Sequence, residues 1–266
     1  MSLYQNILFE LNSGIARLTL NRPDKLNSFN VAMHEEVQAA LAATAAAANS
    51  AAARVLLLTG AGRAFSAGQD LGDRAVAPGQ AQDLGVSIER YYAPLVRRLR
   101  TLPLPVVCAV NGVAAGAGCN LALACDLVIA AESASFYQPF SKLGLVPDTG
   151  GTYFLPRLVG PARALGLALL SDKLPATQAA AWGLIWRAVP DAEFGAAVEA
   201  LLQQLAQAPT RGLSATKQAI HAAGSNTLDQ QLDLERDLQR TLGATADYRE
   251  GVAAFLEKRP PRFQGR

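Results

Sequence analysis

The pattern of apolar and polar positions predicts alternating strands and helices over the first 190 residues. Short apolar runs over residues 7–11 and 15–20 flank Asn12-Ser13-Gly14 and predict a β-hairpin. Further strands are predicted over residues 55–59, 106–110, 127–130 and 185–189, and helices over residues 31–48, 85–100 and 119–124. Because strands alternate with helices, we expect an α/β architecture with helices packed on a sheet.

The pattern changes at about Phe194, after which only helical spacing remains. Helices are predicted over residues 194–207, 210–223, 227–242 and 247–257. We therefore expect two regions: a core over residues 1–193 that holds the site, and a helical region over residues 194–266. The apolar faces of these last helices suit docking on the main body or on a neighbouring subunit.

Composition narrows the class of protein. The 266 residues carry 24 Lys and Arg against 22 Asp and Glu, a balance that favours neither nucleic acid nor a membrane surface as a partner. No apolar run reaches the ~18 residues that span a bilayer, and the first residues lack the pattern of a signal peptide. Three cysteines without metal-ligand spacing indicate a reducing compartment and no metal site. We expect a cytoplasmic protein.

The stretch PVVCAVNGVAAGAGCNLALACD (105–126) is the centre of the chain's organisation. Its pattern predicts a buried strand, a turn of small residues and the start of a buried helix. The first N–H groups of a helix have no partner inside it, so such a turn offers donors to an oxyanion or another anion. The glycines could equally serve packing alone. A similar strand and small-residue turn, VLLLTGAGRAFSAGQDL, spans residues 55–71.

The sequence does not support dinucleotide binding or catalysis by a serine nucleophile with a histidine base. The turn at 116–118 lacks the third glycine of a dinucleotide-binding motif, and Ser66 is not in a nucleophile elbow because Ala64 replaces its first glycine. His34 and His221 lie inside helical patterns, away from both turns. Asp148 in LVPDTGG has two interpretations: a cap for a helix that begins near residue 151, or a catalytic base.

Taken together, the motifs resemble those of the crotonase (enoyl-CoA hydratase/isomerase) superfamily over nearly the whole chain. Five motifs carry the resemblance: NRPDKLNSF (21–29), AFSAGQDL (64–71), the stretch over 105–126, LVPDTGGT (145–152) and YREGVAAFLEKRPPRF (248–263). The resemblance implies a spiral core of ββα repeats and a C-terminal helical trimerisation region, assembled as a homotrimer or hexamer. It also implies an acyl-CoA substrate and no cofactor, since coenzyme A is part of the substrate.

The resemblance also assigns expected roles to individual residues. The N–H groups of Gln69 and Ala117 would hold the thioester oxygen, Asp148 would move the proton, and Asn120 would orient Asp148 or the substrate. Residues expected to contact the substrate are Lys25, Leu26, Ala64, Ser66, Asp70, Leu71, Gly116 and Leu145, together with Phe255 and Lys258 in their own or a neighbouring subunit.

The chain departs from the hydratase pattern at the two glutamates that handle water. Asn120 and Phe140 stand at those positions, and neither side chain transfers a proton. The resemblance is strongest to isomerases that act on an epoxide of phenylacetyl-CoA, through GQDLGDRAVAPG (68–79) and the pair Asn120 and Asp148. The alternative is an isomerase that converts aliphatic 3-enoyl-CoA to 2-enoyl-CoA. Less favoured are a hydratase and a non-catalytic CoA- or RNA-binding protein.

Overall fold

The computed structural model describes residues 4–74 and 83–266. The polar, glycine-containing sequence GDRAVAPGQAQ (72–82) predicts a surface loop, and most of it lies outside the described residues. The strands are β1 (Ile7–Asn12), β2 (Gly14–Leu20), β3 (Ala53–Gly60), β4 (Ala64–Ser66), β5 (Val106–Val110), β6 (Val113–Ala115), β7 (Leu127–Ala131), β8 (Ser135–Tyr137), β9 (Leu174–Pro175) and β10 (Arg187–Val189). The α-helices are α1 (Val31–Asn49), α2 (Leu84–Ser87), α3 (Ala93–Thr101), α4 (Ala117–Leu123), α5 (Gly151–Leu170), α6 (Ala176–Ala181), α7 (Asp191–Gln207), α8 (Thr210–Ala223), α9 (Leu228–Gly243) and α10 (Ala246–Leu256).

The strands form two sheets connected as a spiral. The first sheet has the order β1-β2-β3-β5-β7-β10 and is parallel except for the β1–β2 hairpin. The second sheet has the order β4-β6-β8-β9, with β9 antiparallel. Each of β3, β5 and β7 in the first sheet is followed along the chain by a short strand of the second sheet, and then by helix. These are three ββα repeats, as the α/β interpretation and the resemblance predict.

The burial of the central strand β5 shows why the long strands can be predicted from sequence. All five of its residues are buried, because the sheet is covered on both faces. Helix α7 supplies one cover, with Val198, Leu201 and Leu202 in the same apolar cluster as Val107 of β5. The helical region therefore begins with a helix that packs on the core, and the division between residues 193 and 194 stays a prediction.

A buried ion pair attaches helix α8 to the core. Lys217 Nζ lies 2.8 Å from Asp126 Oδ2 and also donates to the carbonyl oxygens of Leu99 at 2.8 Å and Leu104 at 3.3 Å. Burial raises the pKa of Asp126 and lowers the pKa of Lys217, despite their mutual attraction. Asp126 Oδ2 also accepts a hydrogen bond from the N–H of Val106, at the start of β5. The ion pair thus joins α8 to the centre of the first sheet.

Three details differ from the sequence prediction. The three-residue strands β4, β6 and β8 were not expected, because three residues hold too little apolar pattern to predict them. Helix α4 begins at Ala117, two residues earlier than predicted. The helix predicted over residues 85–100 contains a π-helical turn, Ile88–Tyr92, between α2 and α3. Among the described residues, no helix combines the length and apolarity needed to cross a lipid bilayer.

Candidate active site

The first small-residue turn follows β4 and is held closed by Ser66. The Ser66 hydroxyl donates to the carbonyl oxygen of Asn27 at 2.8 Å and accepts from the N–H of Gly68 at 3.1 Å. Gly68 has φ +85°, and a Cβ built on it would lie 2.8 Å from Ala115 O and 3.0 Å from Ala117 N. The two small-residue turns therefore touch through their backbones, and glycine is required where they meet.

The backbone of Gln69 has a defined direction. Phe29 N–H donates to Gly68 O at 2.7 Å, and Asp70 N–H donates to Phe29 O at 2.9 Å, which forms a parallel bridge between Phe29 and Gln69. Because successive N–H groups in extended backbone alternate in direction, the Gln69 N–H points away from Phe29.

The second turn is formed by Gly116 and the first residue of α4. Gly116 has φ +55° and ψ −127°, and its N–H donates to Tyr137 O at 2.9 Å. Ala117 is 4% exposed, and its N–H belongs to the first turn of α4, where no carbonyl of the same helix is available. The ring of Phe140 lies 3.8 Å from the position of a Cβ on Gly116, so an apolar ring borders this turn.

The Asp148 loop leads into α5, and Asp148 is not its cap. The residue at the N-cap is Gly150, with φ +84°, and in the described structure no side chain caps the helix. The backbone carbonyl of Asp148 accepts from Gly151 N–H at 2.7 Å, while its carboxylate Oδ1 accepts from the Thr149 hydroxyl at 2.8 Å. The capping interpretation is wrong because the chain turns at Gly150 before the helix begins.

Asn120 is fully buried and connects the second turn to the Asp148 loop. Its Nδ2 donates to the backbone carbonyl of Asp148 at 2.8 Å, and its Oδ1 accepts from Gln138 Nε2 at 2.7 Å. A Cβ on Gly151 would clash with the Asn120 amide, so the loop packs directly on it. Asn120 therefore contacts Asp148 through the backbone, and its expected orienting role stays a prediction.

The residues expected to hold coenzyme A near the first turn lie on two chain segments that contact each other, since the N–H of Ala67 donates to Leu26 O at 2.8 Å. Arg22 lies beside them and forms an ion pair with Asp70 at 3.0 Å. Burial alone would raise the pKa of Asp70, but the hydrogen bonds from Arg22 and from the Gly72 N–H outweigh burial, so this pKa lies below its ordinary value. Lys25 and Leu71 are exposed, Leu26 is half-buried with φ +49°, and Ala64 and Ser66 are buried.

Three of the expected substrate-contacting residues lie apart from the two turns. Phe255 is 83% exposed and borders a hollow on α10 with Tyr248 and Val252, and Lys258 follows the same helix. Leu145 lies before Asp148 and is 39% exposed. The roles of these three residues stay predictions.

Two buried amides that hold the site were not identified from the sequence. Asn27 donates from Nδ2 to the carbonyl oxygens of Ala61 at 2.9 Å and Ala64 at 2.8 Å, so it shapes the approach to the first turn. Gln138 donates to Asn120, as described above. Asn27 lies in a motif that carried the family resemblance, whereas Gln138 had no signal beyond its place before Pro139 and Phe140.

A cavity of about 970 Å³ lies beside the Asp148 loop but does not include the two turns. It is bordered by Thr149 and Gly150, by Tyr153 on α5, and by residues of α3 and α8. Neither Gln69 nor Ala117 lines it. The aromatic ring of Tyr153 lines this cavity, whereas that of Phe140 lies beside Gly116.

The thiol next to Ala117 does not act as a nucleophile at neutral pH. Cys119 is fully buried, and burial raises its pKa to about 12, against the opposing effect of hydrogen bonds from Tyr137 and Gln138. The thiol therefore stays protonated. The candidate groups at the site are the backbone N–H groups of Gln69 and Ala117 and the carboxylate of Asp148, and their catalytic roles stay predictions.

Comparison with known proteins identifies the family of this chain. The enoyl-CoA hydratase/isomerase family model matches residues 10–266. The chain is 58% identical to 1,2-epoxyphenylacetyl-CoA isomerase of Escherichia coli (strain K12), with 98% of each chain covered. It is 51% identical to a probable enoyl-CoA hydratase of Rhodobacter capsulatus, with 99% of each covered. The crystal structure of a putative enoyl-CoA hydratase from Streptomyces coelicolor A3(2) superposes with a TM-score of 0.90 at 35% identity, covering 100% of this chain and 96% of that one. The chain thus belongs to the enoyl-CoA hydratase/isomerase family, as its motifs predict.

Proposed function

We propose that this chain is an acyl-CoA isomerase whose substrate is 2-(1,2-epoxy-1,2-dihydrophenyl)acetyl-CoA. The observation that carries the proposal is the contact between the two small-residue turns, where a Cβ on Gly68 would lie 3.0 Å from Ala117 N. In the proposed arrangement, this contact lets the Gln69 and Ala117 N–H groups donate to one oxygen, as an oxyanion hole requires. The substrate itself is inferred from the 58% identity to the Escherichia coli isomerase.

In the proposed reaction, the two N–H groups bind the thioester oxygen and stabilise the enolate that forms when a proton leaves the adjacent carbon. Asp148 accepts that proton and returns it, so the substrate and product have the same mass. The carbon–carbon bond shared by the epoxide and the six-membered ring breaks in an electrocyclic ring expansion, which keeps both C–O bonds and gives a seven-membered oxepin. Asp148 takes the proton from the α-carbon and returns it to the ring carbon γ to the thioester, so the double bond moves into conjugation with the thioester and oxepin-CoA forms. Loss of one oxyanion donor typically costs about 100- to 1,000-fold in kcat, so this pair accounts for much of the rate.

Isomerisation is favoured over hydration by the residues beside the donors. Hydration needs acidic groups to deliver water, but Asn120 is a neutral amide engaged on both sides by hydrogen bonds. Phe140 is 7% exposed, and its ring borders Gly116. With these two positions unable to transfer protons, Asp148 remains as the carboxylate for proton transfer.

Product analysis tests this function. The purified protein is incubated separately with the epoxide of phenylacetyl-CoA, an aliphatic 3-enoyl-CoA and a 2-enoyl-CoA, and products are followed by absorbance and mass. Formation of oxepin-CoA without a change of mass supports the proposal. Turnover of the 3-enoyl-CoA alone assigns the aliphatic isomerase activity instead. A gain of one water on the 2-enoyl-CoA contradicts the argument from Asn120 and Phe140.

A variant separates the enzyme from a non-catalytic binding protein on the same fold. Asp148→Asn keeps an acceptor for the Thr149 hydroxyl but cannot take up a proton, so we expect kcat to fall by at least a thousandfold while acyl-CoA binding persists. The exposed Asp172→Asn is the matched control and should keep wild-type kcat. Unchanged turnover in Asp148→Asn would refute the role of the carboxylate.

We also propose that the chain assembles as a homotrimer or hexamer and uses no cofactor beyond the coenzyme A of its substrate. The exposed apolar side chains of α10, Phe255 at 83% and Leu256 at 73%, support burial against another subunit. In such an assembly Phe255 and Lys258 would reach coenzyme A. Light scattering measures the assembly, and a monomer at micromolar concentration would contradict it.

A further inference from the structure

Tyr92 is a fully buried tyrosine whose hydroxyl reaches the first small-residue turn. Its hydroxyl donates to Gln69 Oε1 at 3.0 Å. The Tyr92 ring packs against the ring of Phe29, with centroids 6.2 Å apart, and against the ring of His34, with centroids 4.5 Å apart in an edge-on arrangement. The position of the hydroxyl is therefore fixed by packing.

The Gln69 side chain is held at both ends of its amide. Oε1 accepts from Tyr92, and Nε2 donates to the backbone carbonyl of Asp70 at 3.2 Å. The side-chain amide of Gln69 is therefore folded against the backbone of the next residue, Asp70. Because the side chain and the N–H group of Gln69 share one Cα, holding the amide restricts rotation of the peptide that carries the N–H.

The helix that carries Tyr92 has an unusual feature at this point. Residues Ile88–Tyr92 form a π-helical turn between α2 and α3, and Tyr92 is its last residue. A π turn inserts one extra residue, which rotates the following residues by about 100° relative to an unbroken α-helix. The direction of the Tyr92 side chain therefore depends on this insertion, and such turns are frequent at functional sites.

We propose that Tyr92 is a positioning residue for the reaction: its hydroxyl fixes the Gln69 amide and thereby directs the Gln69 N–H toward the thioester oxygen. This inference rests on the proposed function, in which that N–H stabilises the enolate. Since the enolate charge develops only as the proton leaves, Tyr92 contributes to kcat and hardly to binding of the substrate.

The test removes the hydroxyl alone. Tyr92→Phe should lower kcat about five- to tenfold, the loss expected for one hydrogen bond, while KM stays within twofold. Exchange of the α-protons of phenylacetyl-CoA into D₂O, measured by mass, should slow by the same factor because it reports enolate formation directly. Tyr91→Phe is the matched control: the neighbouring tyrosine stacks on His34 at 5.0 Å, and its variant should keep both rates within twofold.

A double variant decides whether the hydroxyl acts through Gln69. Gln69→Met removes the acceptor and should lower kcat by a similar factor, and adding Tyr92→Phe to it should cause no further decrease. A folded Tyr92→Phe enzyme with kcat within twofold of wild type would overturn the inference, as would a full further decrease in the Gln69→Met background. If Tyr92→Phe fails to fold, Gln69→Met alone decides, and kcat within twofold of wild type overturns the inference.

The two proposals fail in different ways. If Asp148→Asn keeps its turnover, or the wild-type protein transforms none of the three acyl-CoA substrates, the proposed function is wrong. If Asp148→Asn is inactive and Tyr92→Phe retains full kcat and exchange, the proposed function stands and the role of Tyr92 is wrong.

Discussion

A methyl group at Gly68 tests the contact between the two small-residue turns most directly. In Gly68→Ala the new Cβ would lie 2.8 Å from Ala115 O and 3.0 Å from Ala117 N, both backbone atoms that cannot rotate away. The residue would also keep φ +85°, which costs an L-residue about 1–2 kcal/mol. We expect the turns to separate, which would disturb the alignment of both N–H groups with a shared oxygen.

The expected loss of activity is larger than the loss of stability. Disturbing the alignment of one donor costs about 100- to 1,000-fold in kcat, or about 3–4 kcal/mol of activation free energy. Gly144→Ala is the control, because Gly144 has φ +68° but nothing within 4 Å of its added Cβ. It should lower Tm by about 3–6 °C through backbone strain and leave kcat within about threefold.

The assay compares kcat on the epoxide substrate and Tm for wild type and both variants. A folded Gly68→Ala enzyme with kcat within threefold of wild type would refute the reasoning, because the donors would then tolerate separation of their turns. A large loss of kcat in Gly144→Ala would show that left-handed strain, rather than contact between the turns, controls activity.

Three further variants test the supports of the site. Asn120→Leu leaves the Asp148 carbonyl without its amide donor and should lower stability by about 1–3 kcal/mol and kcat at least tenfold; unchanged kcat would argue against positioning by Asn120. Lys217→Met leaves Asp126 buried without its partner and should lower the free energy of unfolding by about 3–5 kcal/mol in urea titrations, and a loss below about 1 kcal/mol would contradict the anchoring role. His221 has its pKa lowered from 6.5 to about 4 by burial and by two neighbouring positive charges, so its ring is neutral at pH 7 despite lying 3.6 Å from Asp126. The unfolded chain therefore binds the proton more readily, and stability should fall as pH drops from 6.5 to 4, by on the order of 1–2 kcal/mol after solvent screening of a side chain 23% exposed. His221→Gln should lose less stability over that range in melts at pH 6.5 and 4, and an identical decrease would refute the assignment.

The long strands could be predicted from sequence because burial on both faces leaves an uninterrupted apolar run, as in β5. The short strands β4 and β6 could not, although they align the two turns, because three residues are too few to show a periodicity. Nor could helical spacing reveal the extra residue of the π turn that ends at Tyr92.

The site was predictable in part. Small-residue turns and the family resemblance predict donors at Gln69 and Ala117, and the structure brings those turns into contact. The choice between cap and base for Asp148 depended on the backbone at Gly150, whose φ is set by tertiary packing that no local pattern encodes. Gln138 acts through Asn120, which lies 18 residues earlier in the chain. No local sequence pattern relates two residues at that separation.

The bond between Asn120 and the Asp148 carbonyl bears on how such an enzyme can change its chemistry during evolution. An ionised glutamate at position 120 would have no proton to donate and would direct a negative charge at that carbonyl oxygen. Restoring the hydratase residue alone therefore disrupts the loop that carries Asp148 before it provides a group to handle water. In this chain, we therefore expect a change toward hydratase chemistry to require substitutions in this loop together with one at position 120.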